Sequence, residues 1–359
     1  MTRPVASTSS PRFEDYSEII DVRSPSEFTE DHVPGAHNLY VFDDTERARV
    51  GTIYKQESPF KARKLGAALV SANIARWIQA HFIDKPRDYK PLVYCWRGGQ
   101  RSMSMATVLS RIGWETTVIE GGYKQYRKLV IQILDEFPPM FEFIVVSGLT
   151  GTAKTDFLEV LRQQGEQVID LEGLANHRGS LLGPHPDTPQ PSQKYFETQL
   201  AWAFRKFDPA RPIWIESESN KIGNLHCPAA LWQQMRTARR IELRAPFQAR
   251  VDYLLGNYAF FVANPEQLKR TIQALKFRHG TEKVAAWHAM IDQRKWQEFV
   301  ASLLEEHYDP AYQSSIRKNR RPDSRIIELP SLSRASLEQA AEALITDTSV
   351  NNPTSQGTR

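Results

Sequence analysis

The stretch from Phe141 to Gly165 constrains this chain more than any other: FEFIVVSG, a largely apolar run, leads into GLTGTAKT and then DFLEVLRQQG, which ends at a glycine. A buried strand, a glycine-containing loop closing in Lys-Thr and a helix in direct succession open a parallel α/β unit whose loop suits phosphate. Glycines let backbone N–H groups converge on an anion, the helix N-terminus adds partial positive charge, and Lys154 adds a full one. Gly148, Thr150, Gly151, Thr152, Lys154 and Thr155 are the expected phosphate contacts, with Thr155 placed to ligate Mg²⁺. The usual pattern has glycine where this chain has Ala153, and a methyl group there narrows the backbone angles and stands near a ligand phosphate. The plainer alternative is a strand-to-helix turn with an incidental lysine.

An acidic partner is expected at the end of a neighbouring strand. Glu216, after the apolar IWI of RPIWIESES, is the first candidate for holding Mg²⁺ or polarising its water, and Glu218 the next; an ordinary capping carboxylate is the competing reading. In DLEGLANHRGS, Glu172, His177 and Arg178 follow another strand end, where His177 could act as acid or base, or the segment could be a polar turn.

At 359 residues the chain exceeds what one core serves, so two domains are expected. Upstream of the loop, SEIIDV, KLGAALVSANIARWIQAHF, PLVYC, RSMSMATVLSRIG and WETTVIEGG alternate strand and helix patterns, implying a second parallel sheet. Phe137-Pro138-Pro139 breaks the pattern, because proline restricts itself and the residue before it. The expected organisation is therefore a parallel-sheet α/β domain over 13–137, a phosphate-loop α/β domain over 138–228 and a basic, mainly helical extension over 229–346. The polar ends, 1–12 and 347–359, are expected to fray.

The two cysteines, Cys95 and Cys227, are far apart and form no metal-ligand pair, which points to a reducing compartment and no metal centre built on cysteine. The N-terminus lacks the apolar run of a secretion signal, and no segment reaches bilayer-spanning length, so a cytoplasmic protein without membrane partners is expected.

In YCWRGGQRS, Cys95 ends a buried strand ahead of Gly98, Gly99 and a helix start, with Arg97 and Arg101 flanking the glycines. Such a loop is an anion cradle, and a thiol inside it ionises more readily to its nucleophilic form. A buried packing cysteine would need none of these neighbours. Cys227, in LHCPAALW, has no such surroundings and reads as structural.

Together with IIDVRSPSEF and HVPGAHN, this loop resembles that of the rhodanese family; the resemblance implies framework roles for Asp21, Arg23, Gly35 and Ala36 and a sulfur- or selenium-carrying role for Cys95. Five residues separate Cys95 from Arg101, one more than in the usual sulfur-transfer rhodanese, and phosphatases of the same fold share the longer loop. A rhodanese-like domain followed by a P-loop NTPase-like domain, with GTIYKQESPFKARKLGA, DLEGLANHRGS, QKYFE and IESESNKIGN, is similar to the bacterial tRNA 2-selenouridine synthase family over roughly residues 13–330.

That resemblance implies a transferase that replaces sulfur by selenium in wobble 2-thiouridine of tRNA through an S-geranylated intermediate. It implies selenophosphate and geranyl diphosphate as co-substrates, the anticodon region as substrate, and a selenophosphate-supplying enzyme as partner; whether ATP enters the P-loop stays open. The backbone contacts expected for tRNA include Arg239, Arg240, Arg317, Lys318, Arg320 and Arg321, with Arg236, Arg244, Arg250 and KFRHG as further positive sequence. Tyr253, Tyr258, Phe260 and Phe261 could stack on an unpaired base or pack in a core. Two other readings are a rhodanese-fold phosphatase or sulfurtransferase fused to a small-molecule P-loop kinase, and a non-catalytic RNA binder.

Overall fold

The computed structural model describes residues 4–179, 183, 188–257, 262–312 and 324–350, the side chains of 347–350 excepted. It forms two compact units, Met1–Glu136 with Pro191–Lys206, and Phe137–Gln190 with Phe207–Arg359. Each is built on a parallel sheet.

The first unit contains β1 (Ala6–Thr8), β2 (Glu18–Asp21), β3 (His37–Asn38), β4 (Pro91–Tyr94) and β5 (Thr117–Ile119), ordered β1-β5-β4-β2-β3. Its helices are α1 (Pro25–Glu30), α2 (Asp44–Gln56), α3 (Pro59–Trp77), α4 (Gln100–Ile112) and α5 (Gly122–Glu136). Strand β4 is buried along its whole length, as strands of a covered parallel sheet are. Helix α4 turns Met105, Ala106 and Leu109 onto the core with Ile20, Val93 and Val118, and stops at Gly113, whose φ of 120° only glycine adopts freely. Asp21 and Arg23 form a buried ion pair, Nη2 to Oδ2 at 2.6 Å, with the guanidinium 4.0 Å over the Tyr123 ring. This is the framework the Asp-Val-Arg sequence builds. Ala6–Thr8, expected to fray, form an edge strand in register with Thr117–Ile119, and Val5 packs on the core; backbone pairing orders them despite their polar side chains.

The second unit has β6 (Phe143–Gly148), β7 (Gln167–Ile169), β8 (Ile213–Glu216), β11 (Arg239–Arg244) and β12 (Arg325–Glu328), ordered β12-β11-β6-β8-β7, with a small hairpin of β9 (Lys221–Ile222) and β10 (Leu225–His226). Its helices are α6 (Lys154–Gln163), α7 (Leu171–Ala175), α9 (Ala229–Thr237), α10 (Phe247–Asn257), α11 (Pro265–Gln273), α12 (Lys276–Asp292), α13 (Trp296–Leu303) and α14 (Arg334–Val350). The C-terminal part is mainly helical as expected, except that two sheet strands, β11 and β12, lie within it. RRIELR buries Ile241 and Leu243 alternately, and that period of two places the segment beside β6.

Helix α8 (Gln193–Phe204), which follows β7 in sequence, packs in the first unit. Ser192 caps it, Trp202 donates to the Tyr126 hydroxyl at 2.8 Å, and Tyr195 stacks on His32. None of the described helices is long and apolar enough to cross a membrane.

Candidate functional site

In the first unit, β4 delivers Cys95 to a loop that closes at the start of α4. The sulfur accepts the Gly99 N–H at 3.3 Å and lies 3.2 Å from the Ser102 hydroxyl, which is itself 3.1 Å from the Gly99 carbonyl. Burial alone would raise the Cys95 thiol; the Ser102 hydroxyl, the backbone at Ser102 and Arg97, and the charge of Arg101 bring it below the usual cysteine value. Cys227 is the contrast, since burial without compensation pushes it up to about 12.

The expected flanking charges are placed differently from each other. Arg97 is exposed, whereas Arg101 donates to Glu27 through Nη1 at 2.7 Å and Nη2 at 3.4 Å. Glu27 also accepts the Ser24 N–H, which fixes it at the start of α1.

The loop rests on a second pair of glycines. Gly98 has φ +64°, and a Cβ there would lie 2.7 Å from the Ile119 carbonyl; at Gly122, φ +56°, it would lie 2.2 Å from the Cys95 carbonyl. The N–H groups of Tyr123 and Lys124 donate to the Cys95 and Trp96 carbonyls. Sequence reasoning took EGG only as a strand end; the doubled glycine before a helix was the available signal.

In the second unit the phosphate loop joins β6 to α6 at the floor of a cleft of about 920 Å³. Gly148, Thr150, Gly151, Thr152, Lys154 and Thr155 all line it. Lys154 Nζ donates to the Gly148 carbonyl at 3.2 Å, and the Gly148 N–H donates to the Tyr312 hydroxyl at 2.7 Å. Ala153 adopts the left-handed conformation (φ 56°, ψ 36°) that glycine would take freely. The residue is buried, in the core cluster with Ile144, Val146 and Phe157, so its departure from the pattern is felt as backbone strain of about 1 kcal/mol.

Arg250, grouped by sequence with the exposed bases, is buried. It pairs with Asp309 at 2.6 and 3.0 Å and donates from Nε to the Thr150 carbonyl at 2.9 Å, so it braces the loop. A carboxylate 59 positions away is invisible to local pattern reading.

The acidic wall is ordered differently from expectation. Glu216 is buried away from the cleft lining, with Oε1 accepting the Glu172 N–H at 2.6 Å and Oε2 unpartnered among the described residues; burial and the charges of Asp170 and Glu172 hold its carboxyl well above the usual range. Glu218 and Glu172 do line the cleft. Burial, with the charge and hydrogen bond of Glu172, pushes Glu218 to about 8 against the pull of Lys154. Thr155 donates to Glu172 at 3.4 Å. No three His, Cys, Asp or Glu side chains among the described residues form a metal-holding group.

Arg178 lines the cleft and donates to the Asn257 carbonyl, whereas His177 is buried, with Nδ1 accepting the Gly179 N–H at 3.1 Å. Arg240, expected as a backbone contact for RNA, lines the cleft on β11 and donates to Ser217; Arg239 pairs with Glu142. Arg317, Lys318, Arg320, Arg321, Tyr258, Phe260 and Phe261 lie outside the described residues.

Two further features were not anticipated. An apolar crevice of about 50 Å³, formed by Leu268, Phe299, Leu303 and neighbours, shares Thr150, Leu254 and Tyr308 with the cleft. His307, also on the cleft, sits in a π-helical turn with Nδ1 3.0 Å from His279 Nε2.

Comparison with known proteins divides the chain similarly. A rhodanese-like domain family model matches residues 9–129, and the model of the tRNA 2-selenouridine synthase AAA domain matches residues 141–328. The tRNA 2-selenouridine synthase of Shewanella loihica is 35% identical over 333 residues, covering 84% of this chain and 87% of that protein. Those of Shewanella sediminis and Nitrosomonas eutropha are each 34% identical, covering 86% and 76% of this chain and 89% and 71% of theirs.

Proposed function

This chain belongs to the tRNA 2-selenouridine synthases, and from that premise we propose that it is a transferase converting wobble 2-thiouridine of tRNA to 2-selenouridine through an S-geranylated intermediate. The observation that carries the geranyl step is the joining of two chemistries in the second unit. Lys154 and the phosphate loop offer a cationic floor for a diphosphate, and the apolar crevice begins at Thr150, Leu254 and Tyr308 on the same cleft. An ester of diphosphate with a short hydrocarbon chain matches both.

In the first step the thiouridine sulfur attacks C1 of geranyl diphosphate, the C1–O bond breaks, diphosphate leaves and the base loses a proton. Lys154 and Arg178 neutralise the departing charge. In the second, the Cys95 thiolate attacks phosphorus of selenophosphate and the P–Se bond breaks to free hydrogen selenide anion. That anion adds to C2 of the base as the C–S bond breaks and geranylthiol leaves with a proton from water; water then hydrolyses the S-phosphocysteine to thiol and phosphate. Cys95 thereby delivers the selenium without a change of oxidation state, with the Gly99 N–H and Ser102 hydroxyl favouring the thiolate and Arg97 the exposed charge for the incoming donor.

Mg²⁺ suits the cleft only as an ion held largely by diphosphate oxygens, with Thr155 as the donor this chain adds. ATP is the rival occupant of the same loop, and a selenophosphate-supplying enzyme is the implied partner. Arg101 is engaged by Glu27, which speaks against the phosphatase alternative, where that guanidinium must clamp the ester.

The test is to incubate the protein with thiolated tRNA and geranyl diphosphate, then add selenophosphate, and analyse nucleosides by mass spectrometry. Geranylated thiouridine followed by selenouridine is expected. Turnover of a phosphate ester with the tRNA unchanged would overturn the reading.

A further inference from the structure

The first turn of α12 presents an arrangement that the two reaction sites do not use. Phe277 has a relative exposure of 103%, so its whole ring is in water, while the preceding Leu275 is buried and anchors the turn. Lys276 and Arg278 flank it, both exposed. Neither has an ion pair with an acidic residue among those described, although nearby lysines do: Lys269 with Asp292 and Glu266, Lys283 with Glu306, Lys295 with Glu298. Gly280, at φ 82° and ψ 171°, breaks the helix just beyond, leaving residues 276–279 as a short separate turn.

This turn lies beside the cleft. His279 bonds to His307, which lines it, and Arg278 is near enough to both imidazoles to help burial hold them below the usual histidine range.

Single exposed apolar residues are common and need no explanation. A fully solvated aromatic ring between two cations that have no acidic partner among the described residues is a narrower pattern. A protein partner would be met by a broader apolar patch, whereas the immediate neighbours of Phe277 in the turn are two exposed cations. An aromatic face with a cation on either side matches an unpaired nucleotide segment, in which bases stack on rings and phosphates meet positive charge.

We infer that Lys276, Phe277 and Arg278 form a clamp for an unpaired stretch of the RNA substrate, with Phe277 stacking on a base and the two cations contacting flanking phosphates. This rests on the reading that the substrate is tRNA and adds where a single-stranded part of it is gripped.

The test measures binding of full-length protein to a tRNA anticodon stem-loop and to a blunt RNA duplex, by fluorescence anisotropy over a range of salt. Phe277→Ala is expected to weaken stem-loop binding roughly ten- to hundred-fold and to raise KM with kcat retained. Its melting temperature should stay unchanged because the ring packs on nothing. Phe277→Trp should bind like the original, and Lys276→Ala with Arg278→Ala should lower the salt slope by about 1.4. Unchanged stem-loop affinity in Phe277→Ala overturns the clamp, and so does an equal loss on the duplex. If the original protein binds no RNA at all, the tRNA reading fails first and the clamp with it.

Discussion

Arg101 faces Glu27, with its Nη1 donating to Oε2 at 2.7 Å, and the Cys95 sulfur draws its nearest hydrogen bonds from Gly99 and Ser102. The thiolate is thus favoured mainly by short-range donors, with Arg101 acting as a partly neutralised charge behind them. Removing each contributor should move the thiol in a different direction.

Glu27→Gln keeps the shape of the pair but removes its negative charge, leaving the charge of Arg101 uncompensated. The pH midpoint of Cys95 alkylation by iodoacetamide should fall. Ser102→Ala removes a donor to the anion, so the midpoint should rise, with a stability loss of about 1 kcal/mol. A thiol held low in the fold lends stability at high pH that is lost as pH falls through its folded value. Ser102→Ala should therefore flatten the alkaline arm of the stability profile in a denaturant titration repeated across pH.

Glu218 gives the second site its own pH dependence. At pH 7 it is largely protonated, and as pH rises through about 8 it places a negative charge beside Lys154. Geranyl diphosphate affinity, followed by calorimetry, should weaken across that range. Glu218→Gln should keep the affinity flat. The sign for stability is the same: an acid held high in the fold favours folding at low pH, and that contribution disappears as pH rises toward 8.

Arg250→Ala should destabilise the second unit by roughly 3 kcal/mol, because it leaves the half-buried Asp309 without its partner and frees the Thr150 carbonyl. Replacing both partners, with Arg250→Met and Asp309→Leu, should cost less. Urea unfolding of the single and double variants checks the difference.

Gly122→Ala should inactivate the first unit. The added methyl meets the Cys95 carbonyl at 2.2 Å on a backbone with φ +56°, and the strain amounts to roughly 2 kcal/mol or more. Loss of Cys95 alkylation selectivity, together with a lowered melting temperature, is the expected readout.

Both loops were legible in the sequence because each is contiguous: the strand, the glycines, the reactive residue and the helix start follow one another, and local sterics join them. What depends on distant partners was not legible. Arg250 reads as one more surface base until Asp309 is brought to it, and Glu216 reads as the first candidate to hold Mg²⁺ until the sheet buries it. RRIELR reads as basic helix because its charges dominate its composition, although the alternation of Ile241 and Leu243 carried the strand. Helix α8 has a capped, amphipathic sequence that says where it begins, but nothing in it says that its apolar side fits the first unit.

The central claim is that the Cys95 thiolate handles selenium while Lys154 serves the diphosphate step. Nucleoside mass spectrometry of tRNA from deficient cells carrying Cys95→Ala or Lys154→Ala tests it directly. Cys95→Ala should yield geranylated thiouridine without selenouridine, and Lys154→Ala should yield neither. Normal selenouridine in the Cys95→Ala cells would contradict it.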